Sequence, residues 1–151
     1  PFRICKTFEI ENGHMLSKHP DRCKYPHGHS RKVEIVLEAN DLDENEMVCD
    51  FKLLKTVIGG YLDSLDHSMC MNTDDPAFSE MEARFGEHII SFKSLDPTTE
   101  VIAREIFLRC SAALSQYMAG NDGPYKLRGT VALKSVRLWE TSSSWAEYSS
   151  S

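Results

Sequence analysis

No stretch of this sequence is apolar for long enough to cross a bilayer, which takes about 20 consecutive apolar residues. Basic residues are the minority: 17 Lys and Arg against 23 Asp and Glu give a formal net charge of −6. That balance argues against a general nucleic-acid binder, whose affinity rests on neutralising phosphates. The cysteines, Cys5, Cys23, Cys49, Cys70 and Cys110, are odd in number and scattered, which suits a reducing compartment better than a disulfide framework. The start, Pro-Phe-Arg-Ile-Cys, has no signal-peptide pattern, so a cytoplasmic protein with no membrane and no nucleic-acid partner is expected. There is no internal repeat, and no low-complexity segment beyond a small serine cluster near the end. At 151 residues the chain reads as a single domain over 1–151, long enough for a real core.

What is present is concentrated chemistry: Cys23-Lys24-Tyr25-Pro26-His27-Gly28-His29, with His14 upstream. Alternate residues on an extended chain share a side, so His27 and His29 can offer two imidazoles to one metal ion. His14 is the obvious third ligand, and three protein ligands with a free position describe a catalytic zinc site rather than a structural one. Cys23 is close enough in sequence to lie beside such a metal as a reactive thiol. Taken singly, His-x-His on a strand is usually a surface feature and a lone cysteine a packing thiol. Pro26 and Gly28, unusual strand residues, favour a shaped site instead.

Over 2–11, Phe2, Ile4, Phe8 and Ile10 fall on one side, in parity with His14. Over 29–39, Val33, Ile35 and Leu37 share parity with His27 and His29, while Lys32, Glu34 and Glu38 face away. Unbulged strands would bring all three histidines onto the apolar inner faces of a hairpin, where a buried imidazole needs a charge partner or a metal. A helix is expected from Phe51, capped by Asp50, with Leu54, Ile58, Leu62 and Leu65 inward and Gly59-Gly60 allowing a close neighbour. A second is expected with Asp96 as cap, Pro97 in its first position, and Ile102, Ile106, Cys110, Ala113, Leu114 and Tyr117 as its apolar stripe. The long stretch between them suggests only a helical turn near Ser79–Arg84 and a short strand at Ile89–Phe92. Gly120 to Gly129 reads as a turn region, and 130–140 and 145–149 as final strands. His19 and His88 read as solvent-facing.

In order along the chain, Cys23-x-x-x-His27-Gly28-His29, Asp50-Phe51, Leu65-Asp66-His67, Asn72, Pro97-Thr98-Thr99-Glu100 and Glu140-Thr141 resemble the 6-pyruvoyl-tetrahydropterin synthase and 6-carboxy-tetrahydropterin synthase family, from about Phe8 to Tyr148. The resemblance implies an α+β tunnelling fold. In that fold an antiparallel four-stranded sheet carries two helices on one face, and trimers close into a barrel and stack as a homohexamer. Such closure would protect open sheet edges. The resemblance also implies that His14, His27 and His29 bind Zn2+ and that the substrate is a dihydropterin triphosphate. Cys23 would be the general base, and Asp66 and His67 a proton relay contributed by a different subunit. Glu140 would accept two parallel hydrogen bonds from the pterin amino group and ring N–H. Thr98, Thr99 and Glu100 would line the pterin pocket at a helix start. The residues alone also allow plainer roles: a first-turn helix charge for Glu100, a capping aspartate and surface histidine for Asp66 and His67, a strand-end carboxylate for Glu140.

Three residues separate Cys23 from His27, and the chain closes on Trp139-Glu140-Thr141 followed by Trp145-Ala146-Glu147-Tyr148. Both features resemble the branch that makes 6-carboxy-5,6,7,8-tetrahydropterin for queuosine from 7,8-dihydroneopterin triphosphate, releasing acetaldehyde and triphosphate. The alternatives are a 6-pyruvoyl-tetrahydropterin synthase, which eliminates triphosphate and keeps the carbon chain, and a non-catalytic zinc- or pterin-binding protein of the same fold. Cys23 together with Asp66-His67 speaks against the last, since binding alone needs neither. Two departures stand out: Glu11-Asn12-Gly13 before His14, where small apolar residues are usual, and a long segment from Thr73 to Leu95. Arg22, Lys24 and Lys55 are candidates for the triphosphate by charge only.

Overall fold

The two alternating segments become the longest strands, β1 (Phe2–Met15) and β2 (His27–Ala39), paired antiparallel without a register shift from Phe2↔Ala39 to His14↔His27. The computed structural model describes residues 1–120 and 123–151 of the chain. From Arg31 onward β2 alternates as expected, burying Arg31, Val33, Ile35, Leu37 and Ala39. Two further antiparallel strands extend the sheet beyond β2, namely β5 (Ala132–Thr141) and the edge strand β6 (Ser144–Ser149). On the other side β3 (Ser68–Asn72) runs parallel to β1, and β4 (Ile89–Phe92) parallel to β3. The sheet order is β4-β3-β1-β2-β5-β6.

One face of the sheet is covered by two helices. In α1 (Phe51–Leu65), Asp50 Oδ1 accepts the Lys52 backbone N–H at 2.8 Å, and Leu53, Leu54, Ile58, Leu62 and Leu65 are buried. In α3 (Thr99–Gly120) the buried stripe is Ile102, Ala103, Ile106, Phe107, Cys110 and Leu114. Both stripes join Ile10, Val33, Ile35, Leu37, Val136 and Leu138 in one apolar layer. Each such large side chain contributes about 1.5–3 kcal/mol by leaving water. The opposite face carries a shorter helix, α2 (Phe78–Phe85), whose Phe78 and Met81 pack on Met15, Met71 and Ile89. No helix among the described residues is long and apolar enough to cross a membrane.

Several details depart from the sequence reading. The sheet has six strands rather than four and is mixed rather than wholly antiparallel, and a third helix lies on its far side. The strand that escaped notice is β3: Ser68, Cys70, Met71 and Asn72 are all buried, so it lacks the alternation that marks a half-exposed strand. Helix α3 begins later than expected. Thr98, not Asp96, caps it, its Oγ1 accepting from Val101 N–H at 3.2 Å and its carbonyl from Ile102 N–H at 2.9 Å. The Gly59-Gly60 pair meets no close neighbour, since a Cβ at Gly60 would find nothing within 4 Å. Of the expected turn region, residues 121–122 lie outside the described residues.

Asp96 ties three segments together instead of capping a helix. Its Oδ1 accepts from Ser17 Oγ at 2.7 Å and Asn72 Nδ2 at 3.0 Å, and its Oδ2 from the Lys18 N–H at 2.8 Å. Burial pushes this carboxyl up, but the three donors outweigh it and hold it below its ordinary value of 3.8. The unfolded chain therefore binds the proton more readily, so the contribution of Asp96 is present above about pH 4 and disappears as pH falls through the lower folded value. Asp96→Ala should cost about 1–3 kcal/mol at pH 7 and flatten the acid limb of stability, read by urea unfolding between pH 3 and 7. Conversely, Gly60→Ala should stabilise by about 1 kcal/mol, because it improves helix propensity without a clash; thermal unfolding checks this.

Candidate functional site

The unshifted β1–β2 register sets His14 directly opposite His27, with His29 two residues further along the same inner face. The imidazole centroids lie 4.6, 5.1 and 5.2 Å apart, and one nitrogen from each ring falls within 4.8 Å of the others. His14 Nδ1–H donates to the Pro97 carbonyl at 2.7 Å, and His27 Nδ1–H to the Tyr25 carbonyl at 2.8 Å. Both bonds leave Nε2 as the free lone pair, the arrangement in which outer carbonyls orient metal-binding imidazoles. Burial lowers the pKa of His14 to about 4, and burial together with the charge of Arg31 lowers that of His29, so both rings are neutral at pH 7. The Nε2 atoms of His14 and His29 are 3.2 Å apart. That matches the edge of a tetrahedron whose metal–nitrogen bonds are about 2.0 Å. The three imidazoles form a donor set that could hold a divalent ion, with His14 and His29 already at ligand spacing.

The residues before His14 explain themselves by packing. A Cβ at Gly13 would lie 2.8 Å from the mobile Met69 Cε and 3.0 Å from the His27 carbonyl, so a larger residue would press on the backbone of β2. Asn12 is buried and donates from Nδ2 to the Leu65 carbonyl at 3.1 Å and Ser68 Oγ at 3.2 Å, fastening β1 to β3. The departure from a small apolar segment therefore leaves His14 in register.

Glu140, near the end of β5, points its Oε1 at this cluster, 3.7 Å from the Nε2 atoms of both His14 and His29. The same oxygen accepts from Thr99 Oγ at 2.9 Å. Burial raises the Glu140 pKa, but the Thr99 hydroxyl, the two histidines and Arg31 together hold it below the usual carboxylate range. Thr99, Glu100, Glu140 and Trp145 line a cavity of about 450 Å³, with Glu100 itself exposed. Thr98 instead faces the helix end that it caps.

Cys23 sits in a 3₁₀ turn (Arg22–Lys24), half-buried, its carbonyl accepting from Leu16 N–H at 2.9 Å. Asp66 and His67 do pair, and a corner allows it: Asp66 is extended and His67 takes φ 57°, rare for a non-glycine residue. His67 Nδ1 is 2.8 Å from Asp66 Oδ2, while the Glu11 N–H donates to Asp66 Oδ1 at 2.6 Å. These bonds, the Glu11 N–H first, hold the Asp66 pKa down, and Asp66 holds that of His67 up. The His67 side chain is 76% exposed. It borders a second cavity, of about 440 Å³, with His27, His29, Met69, Met81 and Phe85. The structure thus gathers His14, His27, His29, Thr99 and Glu140 at one point, while the imidazole of His67 opens to solvent. His88 is exposed, as expected, and His19 is half-buried, accepting from Asp21 N–H.

Sequence reasoning passed over Arg31, which is 1% exposed beneath the histidines. Its parity with His27 and His29 was the available signal, because a charged residue on the inward side of an apolar strand is anomalous.

A family model described as 6-pyruvoyl tetrahydropterin synthase matches residues 3–151. The chain belongs to the 6-pyruvoyl tetrahydropterin synthase family. It is 30% identical over 165 aligned positions to a 6-carboxy-5,6,7,8-tetrahydropterin synthase of Aquifex aeolicus, covering 97% of each chain. A protein of the same description from Rickettsia bellii is 34% identical over 103 positions, covering 67% of this chain and 74% of that one. Among solved structures, an uncharacterized protein from Wolinella succinogenes superposes with a TM-score of 0.77 at 22% identity, covering 99% of this chain and 98% of that one. A 6-pyruvoyl tetrahydropterin synthase of Caenorhabditis elegans superposes with a TM-score of 0.64 at 20% identity, covering 99% and 96%. These structural likenesses place the six-stranded sheet and its helices in the tunnelling fold. For this member of the family, dialysis against a divalent transition metal should load one ion per chain. His29→Ala should remove most of it while leaving the far-UV circular dichroism unchanged, with metal content read by mass spectrometry.

Proposed function

We propose that this chain is a zinc-dependent lyase that converts 7,8-dihydroneopterin triphosphate and water to 6-carboxy-5,6,7,8-tetrahydropterin, acetaldehyde and triphosphate, a step of the queuosine pathway. The observation that carries the reading is the convergence of three imidazoles with the Glu140 carboxylate beside them. It occurs in a chain similar over 97% of its length to the Aquifex aeolicus protein named for that product. His14, His27 and His29 would hold the zinc ion, which when bound would supply Lewis-acid chemistry toward a carbinol hydroxyl of the substrate.

The protein's own groups divide the remaining work. Glu140, kept ionised by its neighbours, is acceptor-only and suits the pterin amino group and ring N–H. Thr99 and Glu100, beside it in the same cavity, line the ring pocket; Thr98 supports the helix start on which both stand. Cys23 is the general base that moves the side-chain proton. Asp66 orients His67 and raises its pKa, which suits a ring that holds and returns a proton. The exposure of His67 supports a relay that completes the site of a neighbouring copy. The sheet supports assembly too: β4 and β6 leave both edges open, and Trp145 and Tyr148 are exposed on β6. A cytoplasmic homohexamer, a dimer of trimers, is the expected state.

Incubation of the zinc-loaded protein with 7,8-dihydroneopterin triphosphate should release acetaldehyde and a 6-carboxy pterin, identified by mass spectrometry. A 6-pyruvoyl product would move the chain to the other branch of the family. Cys23→Ala should lower turnover by at least about 10²-fold with metal content unchanged. Loss of zinc in that variant would make the thiol a ligand and overturn its role as base.

A further inference from the structure

We propose that Arg31 is a positioning residue that aims Glu140 at its ligand through Thr99. The inference rests on the reading of Glu140 as the ring anchor. Arg31 is 1% exposed, yet among the described residues its guanidinium makes only one well-formed hydrogen bond, from Nη1 to Thr99 Oγ1 at 3.1 Å. Its Nε has no partner. Its Nη2 lies 3.4 Å from His14 Nδ1, but the proton on that nitrogen is already directed at the Pro97 carbonyl, so the contact is one of charge only.

Donor and acceptor inventories then fix the direction of the chain. Arginine has five N–H donors and no acceptor, so the Thr99 oxygen must accept from it. The ionised carboxylate can only accept, so the one hydroxyl proton goes to Glu140 Oε1 at 2.9 Å. The relay therefore runs from Arg31 to Thr99 to Glu140. It holds one carboxylate oxygen in place and so fixes the plane in which both oxygens meet the ring N–H groups.

Stability gives no reason for Arg31. A buried ion with so few partners is costly, and an apolar side chain of similar volume in its place is often neutral or stabilising. A buried charge that weakens the fold while ordering a ligand-facing carboxylate belongs to the site rather than to the core.

The test uses the metal-loaded full chain and 7,8-dihydroneopterin, which has the ring but no triphosphate, with binding read by fluorescence. Arg31→Met should keep its metal and melt no lower than the parent, yet weaken binding about tenfold. Arg31→Lys should restore part of that loss. In the double variant with Glu140→Gln, binding should be no weaker than in Glu140→Gln alone, because both changes act through one carboxylate. Unchanged affinity in Arg31→Met, or fully additive losses, would overturn the proposal. So would metal loss or a lower melting temperature in Arg31→Met, which would make the residue structural; should that variant fail to fold, Arg31→Lys decides by the same comparison. Unchanged affinity in Glu140→Gln would overturn the ring-anchor reading itself, and this inference with it.

Discussion

The β1–β2 ladder is the constraint on which everything else depends. It is continuous over 13 residues of each strand, and a slip of one residue would turn every side chain to the other face. In the register observed, one face of β2 presents Val33, Ile35 and Leu37 to the helices and, further along the same row, Arg31, His29 and His27. Core and site are therefore two ends of a single stripe. The apolar end, clamped by α1 and α3, makes a slip prohibitive, and so holds the polar end in place.

The polar end works because nearly every group in it has a partner. Carbonyls of Tyr25 and Pro97 take the Nδ1 protons of His27 and His14, and the Pro97 carbonyl is available because Asp96 grips Ser17, Lys18 and Asn72 beside it. Asn12 joins β1 to β3 in the same layer. Arg31 is an exception, with an unpaired Nε, and it lies against Thr99 and His14 at the centre of this group.

The long segment between the major helices has a modest structural job. Its Ile89–Phe92 strand and short helix were visible in outline because apolar residues cluster there, but their placement was not. A parallel partner for β1 can come from any buried strand, and only packing identifies β3, with β4 beyond it. Helix α2 then covers the far face of these two strands and borders the cavity next to His67.

By itself the sequence determined the local items: the two long strands, the helices starting after Asp50 and near Asp96, the parity of the three histidines, and the ordered motifs that mark the family. These are short-range consequences of periodicity, capping and spacing. The tertiary structure alone decided that Thr98 rather than Asp96 caps α3, that a third helix lies behind a six-stranded mixed sheet, and that Arg31 reaches Glu140 through Thr99. Each depends on contacts between residues far apart in the chain, 68 positions for Arg31 and Thr99 and 41 for Thr99 and Glu140. Such contacts leave no periodic trace, because what selects them is the shape of the packed interior and not the order of neighbouring residues.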